Sequence, residues 1–288
     1  MLDGLNRAME HIEEHLDRPI DIADLARIAV TSEYHFRRLF SALAGMPLSE
    51  YVRRRRLTVA GAGVLAGDRT LLEVAVRYGY SSGEAFARAF RGLHGVGPGE
   101  ARRDGARLRS QPRMSFRLVV EGSNSMQYRI VEKDAFRVAG KRARVPLVHE
   151  GMNPAIATFI RGIGADTLRR IGELSDQEPE GIVSASDNLA DSRAEGTELD
   201  YYHGVVTGAA VPPGLDALTV PAGTWAVFES SGPFPQTLQY LWRDVFTEWF
   251  PSNPYRSRPG PEILRTRLAQ DGSRADAELW IPVERNTG

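Results

Sequence analysis

Two short segments, fifty residues apart, carry helix-capping serines, aromatic rings and arginines in the same order. The segment TSEYHFRRLF spans 31–40, and SSGEAFARAFRGLHG spans 81–95. Six pairs of positions are identical at this one offset: Ser32 and Ser82, Phe36 and Phe86, Arg38 and Arg88, Phe40 and Phe90, Leu43 and Leu93, and Gly45 and Gly95. The matches indicate an internal repeat.

The arginines of this repeat have the chemistry to contact DNA bases. Helical spacing buries Phe36, Leu39 and Phe40 in the first segment. The positions left outward are Glu33, Arg37 and, in part, Tyr34 and Arg38 in the first segment, and Ser82, Gly83, Glu84, Ala87 and Arg88 in the second. A guanidinium can bond O6 and N7 of guanine together, so both segments are candidate recognition helices. The alternative is that the arginines only solvate a helix surface.

A carboxylate near the C-terminus is placed for a different chemistry. Strand alternation in EILRTRL puts Glu262 in phase with Leu264 and Leu268, so we expect Glu262 to point inward. By the same alternation Glu278 shares a face with Trp280. An inward carboxylate is costly unless an arginine pairs with it or a cationic ligand neutralises it, and both alternatives stay open.

Aromatic side chains could complete a ligand cleft around Glu262. The candidates are Tyr201, Trp225 and Trp280. Trp242 and Trp249 lie on a predicted helix, and we interpret them as core residues.

Other clusters of charge are less specific. The run RRRR at 53–56 points in four directions on a helix, so at most two arginines can face DNA phosphates, and Arg54 is the candidate we retain. His11 and His15 form an i, i+4 pair without a third ligand, so we expect a solvated helix face and no metal site.

The first half of the chain is predicted to be helical throughout. Helix starts are expected at three caps, Asp21, Ser32 and Thr70 with Glu73, and at a second capping box formed by Ser81 with Glu84. These define two helix-turn-helix units. The stretch 48–65 between them predicts a linker helix about 27 Å long, which suits two recognition helices in adjacent major grooves.

The second half mixes strand and helix patterns. Strand, strand, helix, strand, strand occurs twice in series, which predicts an α+β domain built by duplication, with a ligand cleft between the halves. We therefore expect a multi-domain chain: an all-α double helix-turn-helix domain at 1–110, a linker at 111–125, and a small-molecule-binding domain at 126–288.

Composition supports this division. Residues 1–113 hold 18 arginines, no lysine and 14 acidic residues, whereas the rest holds 18 basic and 23 acidic residues. A basic half joined to an acidic half is typical of a polyanion-binding module attached to another module. The chain has no cysteine, and we find no apolar run of membrane-spanning length, so we expect a cytoplasmic protein.

The first half resembles the DNA-binding domain of the AraC/XylS family. The resemblance covers about residues 5–103 and rests on DIADLARIAVTSEYHFRRLFSALAGMPLSEYVRRRRL and TLLEVAVRYGYSSGEAFARAFRGLHGVGPGEAR. It implies double-stranded DNA as a partner, and RNA polymerase as a further one. By position it implies base-reading roles for Tyr34, Arg37, Arg38, Gly83, Glu84, Ala87 and Arg88.

The second half resembles the GyrI-like effector-binding domain, over about residues 126–285. The matching segments are PAGTWAVFESSGPF, WFPSNPYRSRPGPEIL and AELWIPVE. This resemblance implies a lipophilic, cationic effector that meets a buried glutamate, at the position of Glu262. The whole chain looks like the Rob-type subgroup of AraC regulators.

The leading hypothesis is a ligand-responsive transcription regulator without cofactor or catalysis. Some GyrI-like domains are hydrolytic, so the alternative is an enzyme with Glu262 as general base. The sequence offers no Ser-His-Asp or Cys-His set and no phosphate-binding glycine loop. A third hypothesis is a C-terminal domain that binds only protein.

Overall fold

A computed structural model describes residues 2–104, 107–117, 126–148, 152–190 and 196–286. The chain forms two compact units, Met1–Leu118 and Val119–Gly288. Within the described residues, no helix combines the length and the apolar character that a membrane span requires. The first unit is helical and the second is built on a sheet, which confirms the predicted fold class.

The first unit contains two helix-turn-helix pairs. Its helices are α1 (Leu2–Glu14), α2 (Ile22–Ile28), α3 (Glu33–Ala44), α4 (Leu48–Ala66), α5 (Leu71–Arg77), α6 (Gly83–His94) and α7 (Pro98–Asp104). The pairs are α2 with α3 and α5 with α6. Helix α4 has 19 residues and joins them, as the sequence predicts.

Most helix starts match their predicted caps. Asp21 caps α2, Ser32 caps α3, and Thr70 with Glu73 forms the capping box of α5. The start predicted at Ser81 with Glu84 is wrong. The N-cap of α6 is Ser82, whose Oγ accepts a hydrogen bond from the Ala85 backbone N–H at 3.1 Å. The second turn is one residue longer than the first, and this extra residue displaces the cap.

Both turns reverse the chain through a left-handed residue. Val30 holds this position in the first turn, with φ of 54°, and Gly79 holds it in the second, with φ of 83°. In each turn the next backbone N–H closes the same loop, from Thr31 to the Ala26 carbonyl and from Tyr80 to the Ala75 carbonyl. The two turns share one motif, but a β-branched residue occupies the strained position in the first.

Helix α4 contributes side chains to both hydrophobic cores of this unit. Tyr51, near its start, packs in the cluster of Phe36 and Phe40. Leu57, further along, packs in the cluster of Phe86. The linker helix is therefore a shared structural element rather than a spacer.

Residues 107–117 form a strap over the helical unit. Leu108 packs with the second core, and Met114 and Phe116 pack with the first. Its polar contacts include those of Asn6 with both backbone groups of Phe116 at 2.9 and 2.8 Å, Met114 N–H to Tyr51 Oη at 3.2 Å, and Arg55 to the Gln111 carbonyl at 2.6 Å. The predicted linker, 111–125, thus begins inside the strap. Its remainder, 118–125, lies outside the described residues.

The second unit follows the predicted duplicated order. Its strands are β1 (Gln127–Lys133), β2 (Phe136–Pro146), β3 (Val183–Asp187), β4 (Glu198–Thr207), β5 (Asp216–Val220), β6 (Gly223–Pro233), β7 (Tyr255–Ser257), β8 (Glu262–Leu268) and β9 (Arg274–Arg285). Its helices are α8 (Pro154–Gly162), α9 (Ala165–Gly172), α10 (Gln236–Asp244) and α11 (Phe250–Ser252), with a π-helical turn at Val245–Trp249 between the last two.

The described strands pair in the order β1-β6-β9-β8-β3-β4-β2-β5, and β7 pairs with β9. In the duplication, β1 corresponds to β5, β2 to β6, β3 to β8 and β4 to β9. When each strand is replaced by its counterpart, the list gives the same neighbours read from the other end. A pseudo-twofold axis therefore passes between β3 and β8. Gly140 and Gly204 face each other across β2 and β4, and a Cβ on Gly140 would lie 2.2 Å from the His203 carbonyl oxygen.

The two faces of the sheet differ where the halves meet. On one face Val183, Ala185 and Ile263 are almost fully buried, in a core with Trp225 and Trp280. On the opposite face Ser184, Ser186 and Leu264 are half-buried. Since alternate residues of a strand point to opposite faces, the centre of the sheet is fully covered on one side and only partly covered on the other.

Candidate nucleic-acid interface and ligand site

The first candidate recognition helix, α3, presents fewer outward arginines than expected. The Arg37 side chain is 30% exposed and lies 3.6 Å from Glu33, and Tyr34 is half-buried. Arg38, expected partly outward, is only 3% exposed. Its guanidinium lies over the Tyr34 ring at 5.5 Å, with Nη1 3.5 Å from the ring hydroxyl.

The expectation for Arg38 is thus wrong in orientation. The buried stripe of α3 includes His35 and Arg38 as well as the apolar residues, so it is wider than a strict apolar count suggests. A long arginine stem can cover apolar surface in this way.

The second candidate helix, α6, is more open. Arg88 and Glu84 are exposed, and Gly83 and Ala87 are half-buried on the same helix. Ser82 is the N-cap, with its Oγ bonded to the backbone. Arg38 and Arg88 occupy equivalent positions in the repeat but differ in exposure. The outer surface of α6 therefore carries a guanidinium at a position where the outer surface of α3 does not.

The four arginines at 53–56 of α4 point in different directions and have different partners, as helical spacing predicts. Arg53 and Arg54 both bond Glu50, and the Arg54 side chain is 40% exposed. Arg55 is buried against Glu13 at 2.7 Å, and Arg56 donates to backbone carbonyls of residues 16 and 18. Arg55 and Arg56 thus tie α4 to α1 and the segment after it, Arg53 and Arg54 bond within α4, and Arg54 remains the phosphate candidate.

The partly covered side of the sheet forms a trough along β3, beside the pseudo-twofold axis. Its floor is Ser184 and Ser186 on β3. One wall is β8, with Glu262 opposite Ser186 and Leu264 opposite Ser184. The other wall is β4, with Tyr201 opposite Ser186 and His203 opposite Ser184. The two walls lie two strand spacings apart, about 10 Å. We call these six residues the trough.

Glu262 is buried in the trough, as its alternation predicts, at 3% exposure. The Trp242 indole N–H on α10 donates to Glu262 Oε2 at 2.7 Å. Trp242 is half-buried, whereas Trp249 is a core residue. The interpretation of Trp242 as core therefore missed a residue of the site. Its hydrogen bond to Glu262 on β8 could not be inferred from the helix alone.

Two of the predicted cleft aromatics lie elsewhere. Trp280 is paired with Ile263, which points away from Glu262, and Trp225 packs edge-on against Trp280 at 6.3 Å. Both indoles are essentially fully buried on the fully covered face. The structure brings Glu262 and Tyr201 together, but not Trp225 and Trp280, because sheet alternation separates them.

The second inward carboxylate, Glu278, is paired within the protein. Arg129 contacts its Oε1 at 2.7 Å, and Arg265, its partner across β8 and β9, contacts its Oε2. Of the two alternatives for this residue, the structure selects arginine pairing.

A short chain of neutral polar groups joins Ser184 on the floor of the trough to Tyr201 and His203 on the β4 wall. Ser184 Oγ and Tyr201 Oη lie 2.7 Å apart, and Tyr201 Oη lies 3.5 Å from His203 Nδ1. Burial raises the pKa of Tyr201 despite its bond to Ser184, and burial lowers the pKa of His203. Both side chains are therefore neutral at pH 7. The alternation of serines in GIVSAS was a sequence signal that could have located this stripe.

No cluster of His, Asp and Glu suited to a metal ion occurs in the part of the chain that the structure describes. The profile of the GyrI-like small molecule binding domain matches residues 126–284, which is more than half of the chain. The chain belongs to the GyrI-like family. A helix-turn-helix domain profile matches residues 25–104, and this domain is of the AraC type.

The relatives of this GyrI-like protein include bacterial regulators. It is 30% identical over 131 residues to the HTH-type transcriptional regulator YbfP of Bacillus subtilis, covering 43% of this chain but only 44% of YbfP. It is 34% identical over 83 residues to the regulatory protein SoxS of Salmonella typhimurium, covering 29% of this chain and 78% of SoxS. The solved structure of SAV2435 bound to tetraphenylphosphonium aligns with a TM-score of 0.45 at 15% identity, covering 55% of this chain and 94% of that one.

Proposed function

We propose that this protein is a transcription regulator of the bacterial cytoplasm that binds duplex DNA through α3 and α6 and responds to a small cation in the trough. The bound protein meets RNA polymerase at the promoter. The observation that carries the proposal is the pairing of two capped helix-turn-helix units with a separate unit that holds a buried carboxylate in a partly covered trough.

The helical unit supports the DNA part of the proposal. Its two recognition helices begin at equivalent serine caps, and helix N-termini are where such helices meet bases and phosphates. Arg37 and Arg88 are the side chains best exposed to bond base edges, and Arg54 is placed for a phosphate. The matched helix-turn-helix domain and the regulator relatives agree with this reading.

The trough supports the ligand part of the proposal. A carboxylate at 3% exposure beside half-buried serines gains most from a cation that brings its own apolar surface. Trp242 supplies an aromatic edge beside that carboxylate, and Tyr201 supplies one on the opposite wall of the trough. Catalysis is not part of this proposal.

The test begins with selection of random duplexes by the full-length protein. We expect enriched sites with two half-elements 10–10.5 base pairs apart, as two recognition helices on one DNA face require. Fluorescence anisotropy then measures affinity for the enriched duplex with and without tetraphenylphosphonium. Absence of any enriched sequence would refute the DNA part. Unchanged DNA affinity together with an unchanged melting temperature at saturating cation would refute the ligand part.

A further inference from the structure

The wall of the trough opposite Glu262 is polar where a purely lipophilic ligand would need apolar contacts. Ser184 and His203 face each other in register, and Tyr201 lies beside them on the same face. Their side chains form one chain of contacts, Ser184 to Tyr201 at 2.7 Å and Tyr201 to His203 at 3.5 Å. A ligand that covers these groups without hydrogen bonds to them loses their hydration.

The hydrogen-bonding capacity of this chain is not used up by its own contacts. If Ser184 donates to Tyr201 and Tyr201 donates to His203, the second imidazole N–H remains as a donor. If the direction is reversed, the Ser184 hydroxyl remains as a donor and the second imidazole nitrogen as an acceptor. In either direction one end can bond a polar group of a ligand.

The charge of the wall also suits a cation. Burial keeps His203 neutral, so it does not repel a positive ligand held by Glu262. Tyr201, at the centre of the chain, lies across the serine floor from Glu262, and the two backbones are about 10 Å apart. A single small molecule about 10 Å long can therefore contact both Glu262 and the polar chain.

We propose that the trough selects cations that also carry a hydroxyl or amine on the side away from the charge, and that Ser184, Tyr201 and His203 bind this group. The proposal rests on the proposed function, because it assigns a second specificity to the same site.

The test compares three cations by isothermal titration calorimetry on the full-length protein: tetraphenylphosphonium, (4-hydroxyphenyl)triphenylphosphonium and (4-methylphenyl)triphenylphosphonium. The hydroxyl and methyl groups have similar size, so the last two compounds differ mainly in polarity and hydrogen-bonding capacity. We expect the hydroxyl compound to bind about fivefold to tenfold more tightly than either of the others.

Variants then locate the selectivity. Tyr201→Phe keeps the ring and removes the central hydroxyl, so the preference for the hydroxyl compound over the methyl compound should disappear. Ser184→Ala should also reduce the preference for the hydroxyl compound. This variant tests the same inference if Tyr201→Phe does not fold. Tyr202→Phe is the matched control: this neighbouring tyrosine points to the fully covered face, so the preference should remain.

The outcomes separate this inference from the proposed function. Equal affinity of the three cations for the wild-type protein, or an unchanged preference in Tyr201→Phe and Ser184→Ala, overturns the inference and leaves the cation site intact. Failure of all three cations to bind the wild-type protein overturns the cation site, and the inference with it. Glu262→Gln should weaken all three cations and keep their order.

Discussion

Two carboxylates on neighbouring strands, Glu262 and Glu278, are buried to a similar degree but have different surroundings. We expect Glu262→Gln to weaken cation binding by about 2–5 kcal/mol, because it removes the charge and keeps the shape. Glu278→Gln should instead destabilise the fold by about 2 kcal/mol or more, because it removes the carboxylate that Arg265 contacts and one of the two carboxylates, Glu178 and Glu278, that Arg129 contacts. Calorimetry for ligand affinity and thermal unfolding on both variants check this. A strongly destabilised Glu262→Gln that retains cation affinity would mean that Glu262 serves the fold.

The two equivalent arginines of the repeat should behave differently when replaced. Arg88→Ala removes an exposed guanidinium, so specific DNA binding should weaken by about 1–3 kcal/mol while the melting temperature stays the same. Arg38→Ala removes buried stem contacts, so it should destabilise the helical unit by about 1–2 kcal/mol. Anisotropy on the selected duplex and thermal unfolding separate the two effects. A folded Arg38→Ala that loses only DNA affinity would restore the base-reading role inferred from sequence.

At the scale of elements, the two turns offer a reciprocal test of backbone strain. Val30 adopts a left-handed conformation that a β-branched side chain disfavours. Gly79 adopts the corresponding conformation in the second turn without steric cost. We expect Val30→Gly to stabilise the protein by about 1 kcal/mol, since relief of strain exceeds the added freedom of the unfolded chain. Gly79→Val should destabilise it by about 1–2 kcal/mol. Denaturant unfolding measures both, and a destabilised Val30→Gly would contradict the shared turn motif.

At the scale of the whole molecule, the strap decides where the helical unit can be cut. A fragment of residues 1–110 lacks Gln111, Met114 and Phe116, and it exposes the core around Phe40 that Phe116 covers. A fragment of residues 1–117 keeps these contacts. We expect both fragments to fold and bind the selected duplex, with the longer one about 2–3 kcal/mol more stable, roughly the value of one half-buried aromatic and the hydrogen bonds of the strap. Equal stability of the two would show that the strap adds nothing to the fold.

The sequence by itself determined most of the local structure. Caps such as Ser32 and Thr70 are local signals, because a side chain three residues from its backbone partner needs no distant element to act. The repeat fixed both helix-turn-helix pairs, and strand alternation fixed the inward direction of Glu262 and Glu278. The one misplaced cap, Ser81 instead of Ser82, followed from a single extra residue in a turn, which periodicity cannot locate.

Only the tertiary structure decided which of these residues share a site. Alternation predicts that Glu262 and Trp280 each point away from solvent on their own strands. Both faces of this sheet bury side chains, however, so alternation does not say whether the two residues share a face. The register of β8 with β9 puts them on opposite faces. The order of strands brings Tyr201 and Ser184 to the face of Glu262, and the packing of α10 brings Trp242 there. These pairings join residues far apart in the chain, so their energies depend on contacts that no local pattern encodes.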